Sequence, residues 1–186
     1  MKLNKLLEAV NKKESTDLKY ELIDEQHSIG SWERRSYRIR ALKKFGNVKV
    51  GDLGGYVESE KNLSQDGDCW IYSNAACVEN ARVFENAKLF GGLVDGSSKV
   101  YGNAKVYMNG QVNQNGRVYG NAKIGVGGRV AGNAQVYDEA RVYGNAWVAG
   151  NAKVSGKSKI HLNAFIEDNK EYKDVHVTKD NIIQED

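Results

Sequence analysis

The stretch Val100-Tyr101-Gly102-Asn103-Ala104-Lys105 recurs almost unchanged at residues 118–123 and again at residues 142–147. The same six-residue period runs from Ile71 to Ile166, with a single five-residue step between Leu89 and Val94. Each period begins with an apolar residue, and its fifth residue is nearly always small. A short fixed period of this kind is typical of solenoids, in which each repeat packs only on its neighbours.

Within one period, apolar and polar residues alternate. Ala104 and Val106 are apolar, whereas Lys105 and Tyr107 are polar or aromatic. This alternation predicts a short strand with alternate side chains inside and outside. The Gly-Asn pair that follows tolerates left-handed backbone angles, so it predicts a corner. Each period is therefore expected to contribute one short strand and one corner.

The first residue of every period is predicted to face the interior, and residues eighteen apart, such as Val100, Val118 and Val136, are expected to stack in one vertical file. The inward positions are Ile71, Cys77, Val83, Leu89, Val94, Val100, Val106, Val112, Val118, Ile124, Val130, Val136, Val142, Val148, Val154, Ile160 and Ile166.

The repeated pattern aliphatic-x-x-Asn-small-x resembles the hexapeptide repeat of left-handed β-helix proteins, best known from bacterial acyltransferases. In that family three hexads close one triangular coil, and the protein is usually a trimer. The resemblance therefore implies an all-β, left-handed parallel β-helix and a homotrimer. At three hexads per coil the repeat region would form roughly six coils.

A second resemblance lies upstream of the repeats, in residues 20–22, 37–42, 51–58 and 62–64. These segments are similar to the leader of small hexapeptide-repeat proteins of phages and prophages, including the YdcK-like proteins. The acyltransferase label of that group is itself an inference from fold. The resemblance implies a phage or prophage origin.

The period divides the chain into three parts. Residues 1–56 are predicted to form an N-terminal cap, with an amphipathic helix at Leu3 to Val10 and a hairpin of residues 20–23 and 36–42. Residues 57–170 form the β-helix. Residues 171–186 are predicted to be a C-terminal cap or tail, with a strand at residues 175–177 and fraying from Asn181.

Stacking at eighteen residues sorts the outward positions into three faces. Two of them interleave aromatic residues with lysines and arginines, and these carry the candidate ligand-binding residues. On the first face the candidates are Tyr101, Arg117, Tyr119 and Tyr137, and on the second face they are Lys105, Tyr107, Arg141 and Tyr143.

Two interpretations of these faces stay open. Stacked tyrosines are good neighbours on adjacent strands, and the cations would keep the rod in solution. Alternatively, the two faces form a surface for an anionic, ring-bearing ligand such as a nucleotide. Long nucleic acid is not favoured, because the net charge is only +3 and 24 residues are acidic.

The third face carries less charge and more exposed apolar surface. Large apolar side chains on the outside of a rod usually mark a protein interface. We therefore expect an oligomer interface formed by Val78, Ala131, Trp147, Ala149 and Phe165.

An enzymatic alternative rests on the resemblance, which implies a histidine general base between subunits and acyl-coenzyme A lying along the coil. His161 is the one histidine inside the repeats and would take this role. Its position on the outside also fits an ordinary surface residue. Otherwise no cofactor is expected, and the two cysteines do not form a metal-binding pattern.

The N-terminus does not resemble a signal peptide, and no apolar run approaches the ~18 residues of a membrane span. A cytoplasmic location is expected, which would be the host cytoplasm for a phage protein. The favoured hypothesis is a non-catalytic binding or assembly protein. By analogy alone, it would bind a host defence protein or a nucleotide-like ligand.

Overall fold

A computed structural model of the chain describes residues 18–28 and 35–184. Over these ranges the chain is nearly all β, without an α-helix, and one 3₁₀ turn lies at Glu60–Asn62. The strands form a parallel β-solenoid of about seven turns, one more than expected. The helix predicted at Leu3 to Val10 lies outside the described residues.

Three sheets run along the solenoid and form its three faces. The sheet of the first face contains Arg82–Val83, Lys99–Val100, Arg117–Val118, Gln135–Val136, Lys153–Ser155 and Glu171–Lys173. The sheet of the second face contains Trp70–Ile71, Lys88–Leu89, Lys105–Val106, Lys123–Ile124, Arg141–Val142, Lys159–Ile160, Val175–Val177 and Ile182–Gln184. The sheet of the third face contains Tyr20–Ser28, Arg35–Ala41, Leu53–Val57, Ala76–Cys77, Leu93–Val94, Gln111–Val112, Arg129–Val130, Trp147–Gly150 and Phe165–Asp168.

The strand register confirms the eighteen-residue coil. Val118 pairs with Val100 on one side and with Val136 on the other, and all three side chains are completely buried. All seventeen predicted inward residues are buried, with at most 4% of any one exposed. The core is thus a narrow rod of stacked aliphatic files, and the outward residues of each face repeat at the spacing of one coil.

The five-residue step between Leu89 and Val94 is accommodated by a shortened corner at Gly91 and Gly92. Gly92 has a φ of +84°, and a Cβ there would lie 2.0 Å from the carbonyl oxygen of Gly110. No side chain fits such a gap, so this corner requires glycine. The outward residues after the step keep their register, since Leu93 pairs with Gln111.

The N-terminal hairpin is confirmed. Tyr20–Ser28 pairs antiparallel with Arg35–Ala41, which pairs in turn with Leu53–Val57. That third strand pairs in parallel with Ala76–Cys77, so the hairpin extends the sheet of the third face. It covers the strand edge that the first coil would otherwise expose.

Buried Lys19 fixes this hairpin to the loop that precedes the first full coil. Its Nζ donates hydrogen bonds to the carbonyl oxygens of Asp66, Gly67 and Cys69, at 3.1 to 3.3 Å. The Sγ of Cys69 lies 3.1 Å from the same nitrogen. Burial lowers the pKa of Lys19 and raises that of the Cys69 thiol. The carbonyl oxygens replace the water that the ammonium group loses.

At the C-terminal end, the strand predicted at Val175–Val177 is confirmed and pairs in parallel with Lys159–Ile160. The prediction that the chain frays from Asn181 onward is wrong for Ile182–Gln184. This segment is a strand that pairs antiparallel with Val175–Val177. None of the described segments forms a helix long and apolar enough to cross a membrane.

Candidate functional site

The first face carries an unbroken column of stacked rings. The centroids of Phe84 and Tyr101 lie 4.8 Å apart, and those of Tyr101, Tyr119 and Tyr137 follow at 4.9 Å each. The planes of neighbouring rings differ by 8° or less. Burial raises the pKa of the three tyrosine hydroxyls, so they stay neutral at physiological pH. A column of cations runs beside the rings, formed by Arg82, Lys99, Arg117 and Lys153.

The second face carries a similar column that is interrupted. Tyr72, Phe90 and Tyr107 stack at 4.7 and 5.1 Å. The next residue in the column is Gly125, which has no ring. The column resumes at Tyr143, which stacks on His161 at 4.9 Å. The adjacent cation column is continuous and consists of Lys88, Lys105, Lys123, Arg141 and Lys159.

A groove follows the cation column of the second face, at the edge away from the rings. Its volume is about 340 Å³, and it is lined by Asn103, Lys105, Asn121, Lys123, Glu139 and Arg141. Three cations stand against one carboxylate, so the groove favours an anion. Of the sequence-predicted set, Lys105 and Arg141 line this groove together with Lys123, whereas Tyr107 and Tyr143 lie in the adjacent ring column.

His161, the candidate general base, is engaged with a second histidine. Its ring stacks between Tyr143 and His176, and its Nε2 faces the Nε2 of His176 in a very short contact. Burial lowers the pKa of His161, and the neighbouring His176 and Lys159 lower it further. A neutral imidazole could accept a proton, but the Nε2 of His161 is directed at His176. Sequence reasoning missed this partner because His176 lies beyond the repeats.

The third face exposes a pair of large aromatic side chains. Trp147 and Phe165 are 40% and 57% exposed and meet edge to face at 5.4 Å between centroids. Val78, Ala131 and Ala149, which the stacking scheme places on the same face, are each at most 5% exposed. Small side chains are covered by the coils above and below, which lie about 4.8 Å away. Within the repeats, the large exposed apolar side chains of this face are thus those of the aromatic pair, and Leu53 adds a third in the N-terminal part of the sheet.

One corner carries an asparagine ladder that sequence reasoning missed. The side-chain amide nitrogens of Asn115, Asn133 and Asn151 each donate to the Oδ1 of the asparagine one coil on, at 3.1, 3.0 and 2.7 Å, and the last acceptor is Asn169. The signal in the sequence is asparagine at every eighteenth residue. Because these amides satisfy one another, the ladder stabilises a corner and does not present free ligand-binding groups. Within residues 18–28 and 35–184, no group of three or more His, Cys, Asp or Glu side chains could hold a metal ion.

Comparison with known proteins gives one informative similarity. The chain is 34% identical over 64 residues to a protein of Escherichia coli (strain K12) named as the uncharacterized acetyltransferase YdcK. The match covers 31% of this chain and 20% of YdcK, so it spans well under two thirds of that relative. No protein-family model matches the chain. This similarity and the parallel β-solenoid together fit a hexapeptide-repeat family.

Proposed function

Starting from a solenoid that fits a hexapeptide-repeat family, we propose that this protein is a non-catalytic binding protein for an anionic, ring-bearing ligand of the nucleotide type. The observation that supports this function is the pairing of a cation column with an aromatic column on each of two faces. Cations attract phosphate groups, and aromatic faces accept a flat ring by stacking.

The second face supports the proposal more strongly than the first. Its groove places Lys105, Lys123 and Arg141 on three successive coils around one volume of about 340 Å³. Lys123 and Arg141 are exposed and Lys105 is half-buried. Cations one coil apart can share a phosphate or contact two neighbouring phosphates. We therefore assign ligand binding to the second face.

Charge reversal tests this assignment. Arg141→Glu should weaken binding of 5′-AMP, followed by isothermal titration calorimetry, by about tenfold or more, since a hydrogen-bonded charge contributes about 1.5–3 kcal/mol. Arg129→Glu is the matched control, because Arg129 has the same exposed position in a repeat of the third face. Equal affinity of the parent, Arg141→Glu and Arg129→Glu for 5′-AMP would contradict the assignment. The parent is also titrated with cyclic AMP and acetyl-coenzyme A, and failure to bind any of the three nucleotides would contradict the proposed function.

We further propose that the protein acts as a homo-oligomer, with a homotrimer favoured by the resemblance, and that the third face packs between copies. Trp147 and Phe165 would be the apolar centre of this contact. Trp147→Glu should then lower the mass measured by light scattering to that of a single chain. Lys153→Glu, an exposed change on the first face, should leave the mass unchanged. An intact oligomer in Trp147→Glu would argue against this interface.

Acyl transfer from acyl-coenzyme A is the second candidate function, favoured by the similarity to a relative whose name describes an acetyltransferase. His161 would take a proton from the acceptor amine, whose lone pair attacks the thioester carbonyl, and coenzyme A would leave as the thiol. The contact between His161 and His176 must open for this reaction. The test is release of free thiol from acetyl-coenzyme A with a panel of amines. Activity lost in His161→Ala but kept in His27→Ala would favour the enzyme over the binding protein.

A further inference from the structure

We propose that the interruption at Gly125 is a slot for one planar aromatic ring, and that the ring is the base of a mononucleotide whose phosphate lies on Lys123 and its neighbours. This inference rests on the proposed function and names the place and the chemistry of binding. Tyr107 would stack on one side of the ring and Tyr143 on the other.

The spacing of the column supports a slot of this size. Tyr107 and Tyr143 lie on coils two apart, which corresponds to about 9.6 Å at the usual strand spacing. Rings on adjacent coils of the same column stack with centroids 4.7 to 5.1 Å apart. A ring placed midway would therefore lie at the protein's own stacking distance from both tyrosines.

Gly125 is not required by the backbone, in contrast to the two glycines that follow it. Gly127 has a φ of +75°, and a Cβ there would lie 2.3 Å from the Oδ1 of Asn145. A Cβ on Gly128 would lie 2.3 Å from the carbonyl oxygen of Val142. Gly125 has no left-handed φ, and a Cβ would meet Tyr107 atoms only at 3.5 and 3.8 Å. Ordinary side chains fit at this position, so the fold does not require glycine here. The position is open only because this one coil has glycine where others have a ring.

The cations are placed to hold the anionic end of the same ligand. Gly125 directly follows the strand Lys123–Ile124, so its Cα lies about 6.6 Å along the chain from the Cα of Lys123 at 3.3 Å per residue. That distance is close to the length of a sugar between a base and its phosphate. Lys105 and Arg141 flank Lys123 on the coils above and below, and the groove beyond them receives the phosphate. Glu139 also lines this groove, and its carboxylate limits the negative charge that the site accepts.

The test fills the slot without disturbing the cations. Gly125→Tyr completes the column, whereas the matched variant Gly125→Ala leaves the slot open. The probes are 5′-AMP, adenosine and inorganic phosphate, followed by isothermal titration calorimetry and by saturation-transfer NMR of the adenine protons. Stacking contributes about 1–3 kcal/mol per base, so Gly125→Tyr should bind 5′-AMP about 5- to 150-fold more weakly. Gly125→Ala should bind it within about twofold of the parent.

The possible outcomes separate the two proposals. If the parent and Gly125→Tyr bind 5′-AMP equally well and Arg141→Glu does not bind it, the slot is wrong and the nucleotide-binding function stands. Equal affinities for inorganic phosphate and 5′-AMP would also overturn the slot. If the parent binds none of the three probes, the slot is wrong, and the nucleotide-binding function fails as well if cyclic AMP and acetyl-coenzyme A do not bind. A further outcome is that the parent does not bind 5′-AMP and that Gly125→Tyr changes the mass of the oligomer. The slot would then hold an aromatic side chain of a protein partner, and the proposal that it binds a nucleotide would be wrong. Thermal unfolding at or above the parent's temperature verifies that Gly125→Tyr is folded.

Discussion

The two aromatic columns stand on the same core and follow the same period, yet they offer different surfaces. On the first face Phe84, Tyr101, Tyr119 and Tyr137 stack without a break, so each inner ring uses both of its faces within the chain. On the second face Gly125 leaves one face each of Tyr107 and Tyr143 unused. A complete stack stabilises the rod, whereas an incomplete one can bind something else. Under the proposed function, the loss of one side chain from a repeat that builds structure creates the site.

The largest expected effect comes from the core that both columns share. Val118→Asp places a carboxylate among fully buried files and should cost at least about 3 kcal/mol, because no partner replaces its lost water. Both columns should be lost together in urea unfolding followed by circular dichroism. Arg117→Asp adds the same carboxylate to the adjacent exposed residue and should cost less than about 1 kcal/mol. If both variants melted like the parent, the inward assignment would be wrong.

The second largest effect is expected from a substitution that interrupts the first column as Gly125 interrupts the second. Tyr119→Gly removes two stacking contacts at 4.9 Å and adds a flexible glycine directly after a strand, for a loss of about 2–3 kcal/mol. Tyr119→Phe keeps both stacks and loses the hydroxyl contact to Gln135, so it should stay within about 1 kcal/mol of the parent. Chemical denaturation of both variants measures the difference. Equal losses would mean that the hydroxyl, and not the stack, stabilises this face.

The reverse change should make the second column resemble the first. Gly125→Tyr adds two ring contacts, each worth about 0.5–1.5 kcal/mol, and should raise the free energy of unfolding by about 1–2 kcal/mol. Gly125→Ala adds no ring and should gain less than about 1 kcal/mol from reduced freedom of the unfolded chain. Urea titrations compare the two. A tyrosine that destabilised the protein while alanine did not would show that the slot is too narrow for a ring.

The smallest effect distinguishes the columns by pH. The second column ends in His161 and His176, whereas the first contains no group that titrates near neutrality. The pKa of His161 is lowered by burial and by His176 and Lys159, so the unfolded chain binds its proton more readily. Stability should be fully present above pH 6.5 and should fall as the pH drops below it. Melting temperatures between pH 7.5 and 5 test this, and His161→Phe should flatten that slope. An unchanged slope would assign the pH dependence to other groups.

Much of this molecule could be predicted because the repeat is local. The period placed Val100, Val118 and Val136 in one buried file, and eighteen-residue stacking assigned Arg117 and Arg141 to separate faces. The asparagine ladder was missed although it follows the period, whereas other missed contacts involve a residue outside it. Lys19 reaches Cys69 across fifty residues, and no pattern in the sequence marks that pair.

The sequence by itself determined the coil, its core and the chemistry of its faces, because a six-residue period leaves few arrangements that bury every first residue. The tertiary structure decided which side chains remain available. Stacking covers Ala131 and Ala149 but leaves Trp147 exposed, and it places the ring of His161 against His176. It also places Gly125 one coil from Tyr107 and one coil from Tyr143 in the same file. Availability depends on what lies one coil above and below, and that neighbourhood exists only in the folded rod.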